Sequence, residues 1–143
     1  MIRNATRKDI KEVAELLLEE FRKPPFNERD SLKAVLKSLN FYFRIGKVYA
    51  AINKKEIIGV VVFKIEQYWE GRIIIIEDLA VREKFKRQGI GKALINKVEN
   101  YARKNKFKRI LFRTHKKSSS IKFYQKCGYK TRKDIINFEK KII

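Results

Sequence analysis

The stretch Leu79-Ala80-Val81-Arg82-Glu83-Lys84-Phe85-Lys86-Arg87-Gln88-Gly89-Ile90-Gly91-Lys92 decides the reading of this chain. It joins a β-branched run, Arg72 to Val81, to a segment with helical spacing that begins near Gly89. The first residues of a helix carry free backbone N–H groups and a partial positive charge, so a strand-to-helix junction is a natural seat for phosphate. Glycines at 89 and 91 let the backbone approach such a group without Cβ clashes. Lys86, Arg87 and Lys92 add positive charge around it. Taken alone, the segment has a competing reading as a tight turn rimmed by solvated bases. A dinucleotide fingerprint is disfavoured, because its third glycine would fall at Leu94. The nucleotide-phosphate loop pattern is absent as well.

Outward from that junction the elements follow in order. Ile2 and Asn4 suit a short first strand. Thr6 with Asp9 resembles a capping box ahead of a helix whose inward residues are Ile10, Val13, Ala14, Leu17 and Phe21. Pro24-Pro25 stops it. A second helix is expected from about Glu28 to Leu39, with Leu32, Val35, Leu36 and Leu39 on one face. Residues 48–52 and 57–65 read as a hairpin around an Asn53–Lys55 turn. After the Arg72–Val81 strand, a third helix turns Ile90, Leu94, Val98, Tyr101 and Ala102 inward. Arg109–Thr114 reads as a strand, and Ser119–Cys127 as a short helix closed by Gly128. One or two closing strands are expected between Tyr129 and Ile142, with Lys133-Asp134 as the tip if they form a hairpin. The result is one α/β domain over residues 1–143. It has a mixed, mostly antiparallel sheet, a central parallel β-α-β unit and helices on both faces.

The bulk properties set limits. The 143 residues carry a formal charge of +20, placed unevenly. Residues 82–143 hold 21 Lys/Arg against four acids, whereas residues 1–81 hold 15 against 12. A basic half attracts phosphates, on a cofactor or on a nucleic acid. The lone Cys127 makes no internal disulfide, no apolar run reaches membrane length, and the first residues lack a signal core, so cytoplasmic residence without membrane contact is expected. Nothing has metal-ligand spacing, so no metal is expected. The chain length allows a monomer or a dimer.

Two segments resemble one family. Residues 86–91 resemble the acetyl-CoA motif Gln/Arg-x-x-Gly-x-Gly/Ala of the GNAT acetyltransferases. Ser120-Ile121-Lys122-Phe123-Tyr124-Gln125-Lys126-Cys127-Gly128-Tyr129 is similar to that family's Ala-Ile-x-Phe-Tyr-x-x-x-Gly-Phe segment, with 32 residues from Gly91 to Phe123. The chain departs from the pattern at Lys86 in the Gln/Arg slot, at Glu83 where Pro is common, and at Lys117 where Asn is frequent. The resemblance implies acetyl-CoA as co-substrate and direct transfer to a primary amine in a ternary complex, so that Cys127 is no nucleophile. It implies pantetheine along the strand ending at Val81, with Leu79 and Ala80 at the thioester carbonyl and the pyrophosphate on Arg87, Gln88, Gly89, Ile90, Gly91 and Lys92. It further implies Tyr124 as the acid that protonates the departing thiolate.

The amine starts largely protonated, with a lysine-type pKa of ~10.4, and must lose a proton before it attacks. Glu77 is the candidate base, directly or through water, with Asp78 expected to face the opposite side of the strand. A structural carboxylate paired to one of the many bases is the competing reading of Glu77, and a core aromatic that of Tyr124. His115, the only histidine, stands beside Lys116-Lys117 and reads as exposed. Tyr68 and Trp69 are candidates for the acceptor pocket or for packing. The acceptor is expected to be a protein or peptide amine, because only a short turn follows Gly128 to cover it. A small amine or polyamine is the alternative, helped by the acids Asp9, Glu12, Glu15, Glu19 and Glu20 of the first helix. A third reading is a nucleic-acid-binding module with little enzymatic activity, using the clusters at 104–109 and 115–117.

Overall fold

The computed structural model describes residues 1–143. A five-stranded sheet runs in the order β1 (Ile2–Asn4), β2 (Gly46–Asn53), β3 (Glu56–Tyr68), β4 (Gly71–Val81) and β5 (Ile110–Phe112). The first three junctions are antiparallel, and β4 and β5 are parallel. Two helices, α1 (Ile10–Phe21) and α2 (Leu32–Ile45), cover one face, and α3 (Ile90–Lys104) and α4 (Ile121–Lys126) lie against the other.

Alternation along the strands divides the core in two. Val48, Ala50, Val60, Val62 and Ala80 meet Val13, Ala14, Leu17 and Leu39 of α1 and α2. Tyr49, Val61, Phe63, Ile74 and Ile76 meet Leu94, Ile95 and Val98 of α3. Phe63 is fully buried between Tyr49 and Tyr101, each with ring centroids 5.7 Å away. Phe63→Ala should therefore cost about 3–5 kcal/mol, read as a lower midpoint in urea denaturation with an unchanged slope.

Most expected elements are present, with shifted ends. The box at Thr6 is present: the Asp9 carboxylate accepts the Thr6 N–H at 2.7 Å and is held by Arg3 at 2.7 Å. The second helix starts at Leu32 rather than near Glu28, because Ser31 caps it by accepting the Ala34 N–H at 3.1 Å. Glu28 instead accepts the N–H groups of Arg29 and Asp30 and holds the loop before it. The β2–β3 turn is Lys54-Lys55, both at positive φ, as a two-residue hairpin loop requires. The fifth strand keeps only residues 110–112, since its pairing with β4 ends at Ile76↔Phe112.

The closing strands are absent. Residues 129–143 form no strand, and Ile135, Ile136, Phe138, Ile142 and Ile143 are exposed. A three-residue β5 presents few edge groups to pair with. Where the hairpin tip was expected, Arg132 instead pairs with Asp134 two residues on, at 2.7 Å. With nothing beyond it, β5 stands at the sheet edge and the parallel pair is not central.

Candidate active site

A cleft of about 1100 Å³ opens where β4 and β5 part, and it reaches from the start of α3 to the loop between α1 and α2. The parallel pairing covers only Ile74↔Ile110 to Ile76↔Phe112, while β4 continues to Val81. The Arg82 N–H donates to the Ile58 carbonyl at 2.8 Å. Antiparallel alternation from that bond turns the amide and carbonyl of Ala80 toward β3, and those of Leu79 and Val81 toward the open side. A strand-like ligand in the splay therefore meets free main-chain groups at Leu79 and Val81.

The cradle at the start of α3 is built from backbone. The amides of Arg87, Gln88, Gly89, Ile90, Gly91 and Lys92 donate to no carbonyl, and the first bond of the helix runs from Ala93 N–H to Gly89 at 3.0 Å. Arg87 and Gly89 both have positive φ, +63° and +82°, which curls the chain so that consecutive amides converge. A Cβ on Gly89 would meet nothing within 4 Å, so its conformation demands glycine while the space above it stays open to a ligand. Gly91 faces α4: a Cβ there would make ordinary contact with the Phe123 ring, at 3.4 Å.

The charge around this cradle differs from the sequence expectation at one position. Lys86 is bound by carboxylates, Glu20 at 2.6 Å and Glu83 at 2.8 Å, and Lys23 closes the ring at 2.7 and 3.0 Å from the same two acids. The buried Glu20 carboxylate thus holds two ammonium groups, and Arg87 and Lys92 remain as exposed cations beside the free amides.

Three further groups line the cleft: Tyr124 on α4 and the adjacent acids Glu77 and Asp78 on β4. Tyr124 packs against Phe112, with ring centroids 4.1 Å apart, and against Phe123 at 5.2 Å. Burial, with smaller contributions from Cys127 and Asp78, pushes its phenol up to about 12. Glu77 and Asp78 do not face opposite sides. Val62 pairs with Asp78 and Phe63 with Ile76, so Glu77 is the extra residue of a β-bulge. The bulge cancels one step of alternation, and both carboxylates project on the α1/α2 face. Lys64, two residues past Val62 on that face, sits 3.1 Å from Glu77 Oε1. Burial and the neighbouring charge of Glu77 push Asp78 up to about 6.

Other sequence candidates fall elsewhere. Trp69, fully exposed, and Tyr68 lie at the tip of the β3–β4 hairpin, outside the cleft. His115 does line the cleft, its ring 6.3 Å from that of Phe26, and its Nδ1 accepts the Lys117 N–H at 3.1 Å. The acids of α1 are largely consumed internally. Glu12 accepts the Ile57 N–H at 2.8 Å, and Glu19 pairs with Arg82 at 2.9 Å. The acids that line the outer cleft are instead Glu28 and Asp30, beside Pro24, Pro25 and Phe26. Sequence reading missed this loop because only the fold brings it over the β4–β5 splay. Cys127 ends α4, half-buried, its thiol pushed up by burial.

The splayed parallel pair, the six-amide cradle, the Tyr124 phenol and the two carboxylates share one cleft. The sequence profile of the acetyltransferase (GNAT) family matches residues 10–129, and the chain belongs to that family. Solved structures of similar fold cover nearly the whole chain. A possible acetyltransferase from Clostridium difficile 630 has a TM-score of 0.86 at 17% identity, over 100% of this chain and 97% of that one. The aminoglycoside 6'-N-acetyltransferase AAC(6')-IG from Acinetobacter haemolyticus has a TM-score of 0.80 at 18% identity, over 100% and 99%. A transcriptional regulator from Bacillus halodurans C-125 has a TM-score of 0.82 at 19% identity, over 97% and 98%. No curated relative matches the chain. No helix is long and apolar enough to cross a membrane.

Proposed function

We propose that the chain transfers the acetyl group of acetyl-CoA to a primary amine by direct attack within a ternary complex. The observation that carries this reading is the run of six free amides from Arg87 to Lys92 opening into the same cleft as Tyr124 and the Glu77–Asp78 bulge. The family's acetyl-CoA suits that cleft. Its pyrophosphate would take the amides and the charges of Arg87 and Lys92, and its pantetheine arm would pair with Leu79 and Val81 and pass Ala80. The Leu79 N–H, turned to the open side, is the donor for the oxyanion formed on attack. The amine nitrogen bonds to the thioester carbon and gives its proton to one carboxylate of the Glu77–Asp78 bulge. The C–S bond then breaks, and the thiolate takes the Tyr124 proton. A phenol raised to about 12 stays protonated through neutral pH and is available as that donor.

The acceptor in this proposal is a protein or peptide amine, met in the cytoplasm. No residue beyond Tyr124 lines the cleft, so no closing hairpin covers its acceptor end. A second reading is a small polycationic amine. Glu28, Asp30, Glu77 and Asp78 make that end acidic, and aminoglycoside acetyltransferases are among the proteins of similar fold. CoA release measured against peptides, polyamines and aminoglycosides separates the two. Peptides should show the higher kcat/KM by at least about tenfold, because an open site buries too little of a small amine to hold it. The reverse order would establish the small-amine reading. Salt-dependent nucleic-acid binding without any CoA release would instead favour the basic clusters as the working surface.

A further inference from the structure

Resting on the acetyl-transfer reading, we infer that Asp78 is the base that takes the amine proton, and that Glu77, held in place by Lys64, is a positioning residue whose charge tunes it. The argument starts from the bulge. The register break between Val62 and Phe63 puts two consecutive carboxylates on one face of β4, at the point where β5 leaves and the cleft begins. Their surroundings then separate them. Glu77 has a counter-ion, Lys64 of β3, at 3.1 Å, and Lys64 also lies 3.4 Å from Glu66.

Asp78 has neither an ion-pair partner nor a hydrogen-bond donor, although it lines the cleft. The titratable groups around the two carboxylates are Lys64 on β3, Tyr42 on α2 and Tyr124 on α4. Tyr42 responds to the charges of Glu77, Asp78 and Lys64, and Tyr124 to that of Asp78. Asp78, and not Glu77, is the carboxylate whose charge acts on the proposed acid. A base at neutral pH must be ionised yet willing to hold a proton, and its ideal pKa lies near the working pH. An uncompensated aspartate pressed by a neighbouring anion meets that condition at about 6, whereas Glu77 is already engaged by Lys64.

The proton balance closes. The substrate ammonium gives one proton to the Asp78 carboxylate, which passes it to solvent; the neutral amine attacks, and the zwitterion so formed gives its second proton to Asp78 as the C–N bond forms and the C–S bond breaks. Tyr124 gives one proton to the thiolate. Asp78 then releases its proton to solvent, and the phenolate regains one.

The experiment compares Asp78→Asn and Glu77→Gln, using the best amine of the acceptor panel with acetyl-CoA. Both variants should bind acetyl-CoA as the parent does by calorimetry, since neither side chain enters the cradle. Asp78→Asn should lower kcat at pH 7 by about 10²–10⁴-fold, with the deficit narrowing at high pH, where free amine is plentiful. Glu77→Gln should keep most of the rate at pH 8 and move the acid limb of the kcat profile to lower pH, because Asp78 loses its anionic neighbour.

A readout independent of turnover is thermal stability. Asp78 is raised in the folded state from an ordinary value of about 3.9, so its favourable contribution is complete below pH 4 and is lost as pH rises through about 6. Asp78→Asn should therefore raise Tm at pH 8 and leave it unchanged at pH 4. An Asp78→Asn enzyme within about twofold of the parent rate, or a Glu77→Gln acid limb that stays in place, overturns the inference while leaving acetyl transfer standing. A parent protein that binds acetyl-CoA and acetylates no amine overturns both. Should Asp78→Asn fail to fold, the Glu77→Gln acid limb decides alone.

Discussion

Gly89→Asp should weaken acetyl-CoA binding about a thousandfold. Six consecutive amides, Arg87 to Lys92, have no protein acceptor, and the space above Gly89 is empty to 4 Å. A carboxylate there would stand in the proposed pyrophosphate seat, and two unit charges 4 Å apart at a protein surface repel by about 4 kcal/mol. At about 1.4 kcal/mol per decade, that is roughly three decades of affinity. The backbone cost is smaller. Residue 89 holds φ +82°, a conformation that costs most residues about 1–2 kcal/mol and aspartate less than most. Gly89→Ala is the control. It bears a φ penalty at least as large, adds a methyl that touches nothing, and leaves the amides in place, so its affinity should stay within about tenfold. Calorimetric titration with acetyl-CoA reads both, with a thermal melt to show that each variant is folded. Equal affinity of Gly89→Asp and the parent would move the cofactor site away from this loop.

Tyr124→Phe should lower kcat by about 10²–10⁴-fold with little change in acetyl-CoA affinity. The substitution removes one oxygen from an aromatic cluster formed with Phe112, Phe123 and Tyr129, so packing is conserved. What disappears is the only proton donor that α4 brings to the cleft. Because the phenol is raised to about 12, the parent should show no alkaline limb from Tyr124 below about pH 10. Burst kinetics must first show that chemistry, and not CoA release, sets the rate. If chemistry is limiting and the rate is unchanged, Tyr124 is a packing residue.

Much of this site was legible because it is local. A strand, a turn at positive φ and a helix start lie within 14 residues, and local geometry alone leaves the amides of Arg87 to Lys92 free. The same holds for α4, where apolar spacing ends at Gly128, at φ +91°. Lys86 shows where local reading stops. Its sequence neighbours are cationic, yet its partner Glu20 comes from the end of α1, 66 positions earlier. The closing strands failed for a related reason. Tyr129 to Ile143 contains strand-forming residues, but a strand exists only against an edge, and β5 offers three residues.

By itself, the amino-acid order determined the elements as far as α4, the two-faced core and the cradle of free amides, because helical and strand periodicity and glycine conformation act over a few residues. Tertiary structure alone decided which face each carboxylate takes. Glu77 and Asp78 are adjacent, and simple alternation sends them apart. Pairing with β3 places one extra residue opposite Val62 and Phe63 and turns both into the cleft. Register is set by the partner strand and by the core packed behind it, so no stretch of β4 encodes it alone.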